Sequence, residues 1–274
     1  MRVNTTRFGP ALLAGLALLA QVARAGDGFT WPQGRDAAVS LAYDDALDSQ
    51  LDNAIPALDR HGLKGSFYLT LAAAPVRLRL QEWRQAAANG HELGNHSLFH
   101  QCSSAGKDRA WVPVHRDLDR TTVAQMHDQV ALANAMLAAI DGKDERTFTA
   151  PCGDQRASDG RYIDAVAPLF VGIKLVTGSV VQDMGALSPD AVPVIAPDGM
   201  TGAELIALVE EARRKGTMVN FTFHGIGGDY LSVSRQAHDE LLAYLAAHRE
   251  AYWTATFIDI MRWVREQQEG ATQP

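Results

Sequence analysis

Cysteine is scarce in this sequence: Cys102 and Cys152 are the only two in 274 residues. That excludes a zinc site of the four-cysteine kind. Runs of lysine or arginine are missing as well, and 32 acids outnumber 25 bases for a formal net charge of −7. An acidic chain without a basic run is a poor ligand for nucleic acid or for an anionic membrane surface. No stretch after the first 25 residues is apolar for the roughly 20 residues that a membrane-spanning helix needs, so no stable membrane insertion is expected. The chain also lacks internal repeats, low-complexity tracts and Pro/Gly-rich linkers, which makes one domain over residues 26–274 the simplest organisation.

What is present begins with a leader. Arg2 and Arg7 precede the apolar run Ala11–Ala20, and Ala23-Arg24-Ala25 has the small-x-small form of a cleavage site. Residues 1–25 therefore read as an export signal, and the mature protein is expected in the periplasm or the medium. A retained amphiphilic anchor is the alternative. Loss of the leader removes three arginines and no acid, leaving 22 bases against 32 acids, a formal balance of −10.

Beyond the leader, short β-like runs alternate with amphipathic helical stretches. "AAVSLAY", "KGSFYLTL", "HELGNH", "RTFTAP", "VGIKLV", "TMVNFTFHG" and "WTATFI" read as strands. "TTVAQMHDQVALANAMLAAIDG" reads as a long helix with a threonine start and a glycine stop. "TGAELIALVEEARRKG" opens on a Thr201-x-x-Glu204 capping box. Pro56 should kink its helix or mark its true first turn. About seven strand-helix units predict an α/β fold with a mostly parallel sheet, either open or closed into a barrel.

In such folds ligands gather at the C-terminal ends of strands. Four strand ends carry polar chemistry: Asp44-Asp45, His96 with His100 in "HSLFH", "PCGD" (Pro151–Asp154), and His224-Gly225. Adjacent carboxylates point to opposite sides of a strand, but a turn at its end can bring both to one mouth. One can then bind a cation while the other serves as a base; a solvated acidic turn is the plainer reading. His96 and His100, four apart on a helical turn, would present both rings on one face. With a carboxylate from another strand end they make a two-His-one-Asp set, which suits Zn2+ and also Co2+, Ni2+ or Mn2+. On their own the two rings read equally well as ordinary surface or core histidines. His224, followed by the Gly-rich "GIGG", reads as a core residue or as an acid/base group with room for a ligand to come near. His61, His91, His115, His127, His238 and His248 read as structural or solvated.

"SLAYDD", "HSLFH", "FTAPCGD" and "FTFHG", in that order, resemble the motifs of the polysaccharide deacetylases, carbohydrate esterase family 4. The likeness spans roughly Asp36 to Arg265. It implies a distorted (β/α)7-type barrel and a divalent metal, usually zinc. It implies Asp44 as general base, His224 as general acid, and Asp45, His96 and His100 as metal ligands. The sequence departs from the pattern at Thr149 and Cys152, where the family commonly has an arginine and an aromatic residue. That arginine normally holds the base aspartate. The glycine that often follows the second aspartate is Ala46 here, and Asp183 is the one candidate for an aspartate that tunes His224.

The chemistry implied is hydrolysis of acetyl groups from a glycan, with N-acetyl the leading reading. A metal-activated water would attack, Asp44 would take its proton, the backbone N–H of Cys152 would help hold the oxyanion, and His224 would protonate the leaving group. An O-acetyl esterase acting on xylan and a catalytically silent carbohydrate-binding relative are the alternatives. If the loops of Cys102 and Cys152 rim one mouth, a disulfide is expected between them, with two free buried thiols as the alternative. Trp111 is expected either to pack against a sugar face or to serve loop packing.

Overall fold

The computed structural model describes Met1 and residues 29–271. Apart from Met1, the leader read at residues 1–25 lies outside the described residues. The strands are β1 (Ala37–Asp44), β2 (Ser66–Leu69), β3 (Glu92–Asn95), β4 (Thr147–Thr149), β5 (Arg156–Ala157), β6 (Gly160–Arg161), β7 (Gly172–Thr177), β8 (Val192–Val194), β9 (Met218–Phe223) and β10 (Tyr252–Ala255). The helices are α1 (Ile55–His61), α2 (Ala74–Leu78), α3 (Leu80–Ala88), α4 (Val123–Asp141), α5 (Tyr162–Val166), α6 (Gly202–Lys215), α7 (Arg235–Ala247) and α8 (Phe257–Ala271).

Seven parallel strands run in the order β9-β1-β2-β3-β4-β7-β8. The sheet curls until the chain just after β8 meets β9. Ile195 N–H donates to Asn220 O at 2.8 Å, and Thr222 N–H donates to Ile195 O at 2.7 Å. The result is a nearly closed α/β barrel. β1 has β9 along one edge, while its other edge is shared: β10 pairs with Ala37–Ser40 and β2 with Ala42–Asp44. β5 and β6 form a small antiparallel hairpin apart from the barrel.

Side chains alternate across the wall, as a strand requires. On β1, Ala37, Val39, Leu41 and Tyr43 join the apolar layer under α1, α6 and α7. Ala38, Ser40, Ala42 and Asp44 face the other way, into the barrel. All eight positions are buried, so the strand reads as a near-continuous apolar run. Registration carries the same parity to Ser66 and Tyr68 on β2, Glu92 and Gly94 on β3, Thr147 and Thr149 on β4, and Gly172 and Lys174 on β7. The barrel floor is apolar, closed by Phe257, Ile260, Met261 and Val264 of α8. The upper interior is polar. Gly94 is obligatory there, because a Cβ would run into the Tyr68 ring.

The structure departs from the sequence reading at β8 and agrees with it at Pro56. β8 escapes it, because Pro193 interrupts a three-residue strand; the strand sits at the open side of the barrel, where a missing N–H is tolerated. Pro56 lies in the first turn of α1, and the preceding turn, Gln50–Ala54, is π-helical rather than α-helical.

Candidate active site

The C-terminal ends of the strands open into a cavity of about 750 Å³ lined by Asp44, Asp45, His96, His100, Thr149, Cys152, Lys174 and His224, among others. Each side chain is placed by a local backbone event. β1 ends in two consecutive left-handed residues, Asp45 (φ 80°) and Ala46 (φ 59°). This reversal turns the Asp45 carboxylate back over the mouth beside Asp44. It also places Ala46 where a glycine would sit without strain.

His96 and His100 do not lie on a helical turn. "HSLFH" is a bend, with Ser97 at φ 63° and His100 at φ 54°. The bend is pinned by Asn95 Oδ1, which accepts from Ser97 N at 2.7 Å, and by Ser97 Oγ, which accepts from His100 N at 3.0 Å. Short polar side chains that bond the nearby backbone compete with helix formation. The two imidazoles still meet, with ring centroids 4.8 Å apart.

The His96 tautomer follows from its partner. Nδ1–H donates to Thr149 O at 2.8 Å, so Nε2 carries the free lone pair and points into the mouth. His96 Nε2 and His100 Nε2 lie 3.2 and 3.1 Å from Asp45 Oδ1. The three atoms lie within 4.8 Å of one another. Asp45 Oδ1 is buried and makes no aligned hydrogen bond among the described residues. Asp45 Oδ2 is occupied: it accepts from Tyr230 Oη–H at 2.8 Å. One carboxylate oxygen is thus tethered, and the other is free to share a point with two imidazole lone pairs.

The electrostatics agree with a cation at that point. Burial pushes the Asp45 pKa up, but His100 and His96 facing it outweigh burial and hold the carboxyl well below the usual range. Burial likewise works to lower His96, yet the charges of Asp44 and Asp45 leave it raised overall. A buried oxygen-and-two-nitrogen set that attracts positive charge this strongly fits a divalent ion of the zinc type.

The remaining groups surround that point. Asp44 Oδ2 is 4.0 Å from His96 Nε2, and Asp44 Oδ1 is 3.9 Å from Lys174 Nζ. His224 Nε2 is 3.8 Å from Asp45 Oδ2. The two cysteines are joined as a disulfide, with Cα atoms 5.9 Å apart. It ties the chain after His100 to the turn Pro151–Gly153, in which Cys152 is left-handed at φ 57°. Arg109 reinforces the same tie, donating to Asp154 Oδ2 at 2.8 Å and Cys152 O at 3.3 Å.

Two expectations need correction. Asp183 is exposed and accepts from Gly185 N within its own turn; it does not line the cavity and does not tune His224. The glycine after His224 is required by the chain itself rather than by a ligand. A Cβ on Gly225 would collide with Gly228 O and come within 2.9 Å of Tyr230 O. The other histidines stay out of the mouth. His238, for example, is buried against the Tyr43 hydroxyl at 2.7 Å, and His115 is exposed. Trp111 lies at the cavity edge, 59% exposed.

Three residues of the site were missed in the sequence. Lys174 could have been found, being the one charge in the apolar run "VGIKLV". Tyr230 lies in a loop with no periodic signal. Gln50 looks like an ordinary helix residue, yet its Nε2 donates to both Asp44 O (2.5 Å) and His224 O (3.2 Å) and clamps two strand ends together.

Residues 32–165 match the family model described as polysaccharide deacetylase. This segment belongs to the polysaccharide deacetylase family. Among curated relatives, a gellan lyase of Bacillus sp. is 27% identical over 128 residues, 46% of this chain and 4% of that protein. The uncharacterized protein YlxY of Bacillus subtilis (strain 168) is 25% identical over 178 residues, 61% of this chain and 50% of that protein. The chain thus spans half or less of the length of these relatives. Among solved structures, a putative polysaccharide deacetylase from Mycobacterium smegmatis superposes with TM-score 0.60 at 14% identity, covering 90% of this chain and 96% of that one. A family 4 pseudoenzyme from Bacillus anthracis superposes with TM-score 0.50 at 15% identity, covering 82% and 65%. The deacetylase match includes Asp44, Asp45, His96, His100 and both cysteines; His224 lies beyond it. A pseudoenzyme on the same fold means that activity has to be argued from the site itself.

Proposed function

We propose that this chain is a metal-dependent hydrolase that removes N-acetyl groups from a glycan. The observation that carries the reading is the convergence of Asp45 Oδ1, His96 Nε2 and His100 Nε2 on one point, with Asp44 and His224 beside it. A divalent ion bound there, most simply Zn2+, would polarise the acyl carbonyl and lower the pKa of a water to about 7.

The residues supply the rest. Asp44, buried and facing the mouth, accepts the proton of the attacking water. The backbone N–H of Cys152 is assigned to the developing oxyanion, on a turn stiffened by the disulfide. His224 delivers a proton to the departing nitrogen. That step matters for an amide, whose amine is a poor leaving group, and it favours N-acetyl over O-acetyl substrates. The apolar rim of Trp111, Tyr230 and Leu231 would lie against the sugar face. We place the mature protein in the periplasm or the medium after cleavage near Ala25; a disulfide persists in such oxidising compartments.

The test is elemental analysis together with acetate release from chitin oligosaccharides and from acetyl-xylan. About one divalent ion per chain is expected, with turnover of the chitin oligosaccharides, and His96→Ala should lose both. A wild type that binds no metal and gains no turnover on adding zinc would return the protein to the silent binding class.

A further inference from the structure

Lys174 has no role in the site as described so far. Its side chain is fully buried in the middle of an apolar strand. Among the described residues its ammonium has no hydrogen-bond partner, and neither has Asp44 Oδ1, 3.9 Å away. The ammonium also sits over the face of the Tyr68 ring, 4.4 Å from its centroid. That contact fixes the direction of the stem, because the ring's negative face attracts the cation. Burial drags the lysine pKa down to about 8, while Asp44 and then Glu92 pull it back up. Glu92 lies deeper in the barrel and is already satisfied by Ser66, Thr147 and the backbone N–H of Ile258. The acid left for Lys174 to serve is Asp44.

An unpaired charge in a barrel interior is strongly destabilising. A floor built only for packing would carry leucine or methionine at this position. The cost is offset if the ammonium faces a buried carboxylate and aims it. Asp44 is shared in this way: Oδ1 faces Lys174, and Oδ2 faces His96.

We infer that Lys174 is the positioning residue of the proposed base, reaching across the barrel from β7 to hold the Asp44 carboxylate oriented toward the mouth. The inference rests on the deacetylase reading for its catalytic part and on geometry alone for the ion pair. Thr149, one strand nearer to β1, is the register partner of Lys174 and also lines the cavity. A cation carried from position 149 can therefore reach the same carboxylate.

Two measurements test it. The first is acetate release from chitin oligosaccharides by the zinc-loaded protein. Lys174→Met should lower kcat about 100-fold at nearly constant KM, the scale of a misplaced catalytic group. Lys174→Arg should retain more kcat than Lys174→Met, and Thr149→Arg placed in the Lys174→Met background should recover at least about tenfold of the loss, since either restores a cation. Loss of kcat that neither arginine recovers, or a Lys174→Met kcat within threefold of wild type, overturns the positioning role. The second is a melting cycle, which needs no turnover. Lys174→Met strands the Asp44 carboxylate, so Lys174→Met with Asp44→Asn should melt higher than Lys174→Met alone. Strictly additive losses overturn the ion pair. If the wild type releases no acetate while the cycle shows coupling, the deacetylase reading fails and the ion pair stands.

Discussion

Asp45 illustrates how a side chain in this site is fixed at both ends. Tyr230 holds Oδ2, and the two imidazoles face Oδ1. Removing the tether should loosen the ligand without deleting it. Tyr230→Phe is therefore expected to weaken zinc binding about tenfold, in the range found for partners of metal ligands; competition against a chelator of known affinity measures it. Asp45→Asn should instead abolish stoichiometric zinc. The ligand types were legible in the sequence because their spacing sits at strand ends. How they meet was not. "HSLFH" has the spacing of a helical turn, and only the hydrogen bonds of Asn95 and Ser97 make it a bend. Tyr230 was invisible because its role depends on a loop that folds back on Gly225.

Among the elements, the long helix α4 and the disulfide each carry a stability that can be measured. α4 starts at a capping box in which Thr122 Oγ1 accepts from Gln125 N, and the Gln125 side chain accepts from Thr122 N. Thr122→Ala should cost about 1 kcal/mol, a fall in Tm of roughly 2–4 °C in calorimetry. The disulfide closes a loop of 50 residues. The chain-entropy relation makes that worth about 4 kcal/mol, most of it through the unfolded state. Reduction, or Cys102→Ser with Cys152→Ser, should lower Tm by roughly 8–16 °C; no change would mean that Arg109 and the loop packing suffice. Helix caps and strand alternation were read from sequence because they are local. β8 was not, since a strand of three residues with a central proline exists only because β7 and the start of the β9 contact complete it.

Over the whole molecule, acid should be the weak side. His91 is buried: its Nδ1 accepts from Gly65 N and its Nε2–H donates to Asp59, so it is held neutral, with its pKa pushed down to about 4 chiefly by burial. His238 is pushed down to about 3 by the same cause. Both take up protons more readily when unfolded. Stability is therefore full above the ordinary histidine pKa of about 6.5, and it falls as pH drops from there toward 4, by roughly 1.4 kcal/mol per pH unit for each group. Thermal melts from pH 7 to 4.5 should show this slope, and His238→Gln should remove about half of the histidine part of it. A flat profile for the wild type would contradict both burial assignments. The class of architecture was legible at this scale, since strand-helix alternation dictates a parallel sheet with covering helices. Closure was not, because it depends on Ile195 meeting Phe221, a pairing that no local pattern announces.

The divided edge of β1 has a consequence for the order of events during synthesis. The strand that carries Asp44 is made early and β2 soon follows it, while its other two neighbours are made late: Ala38 waits for Met218, and Ala37 for Tyr252. A growing chain therefore presents Asp44, Asp45, His96 and His100 long before the barrel can close around them. Even the segment through Cys152, which bears Asp44, Asp45, His96 and His100, lacks β9 and β10, two of the three strands that pair with β1. The barrel around that set of donors is complete only when the last strands are in place. Whichever compartment receives the finished chain, not the ribosome's surroundings, decides which ion those donors meet.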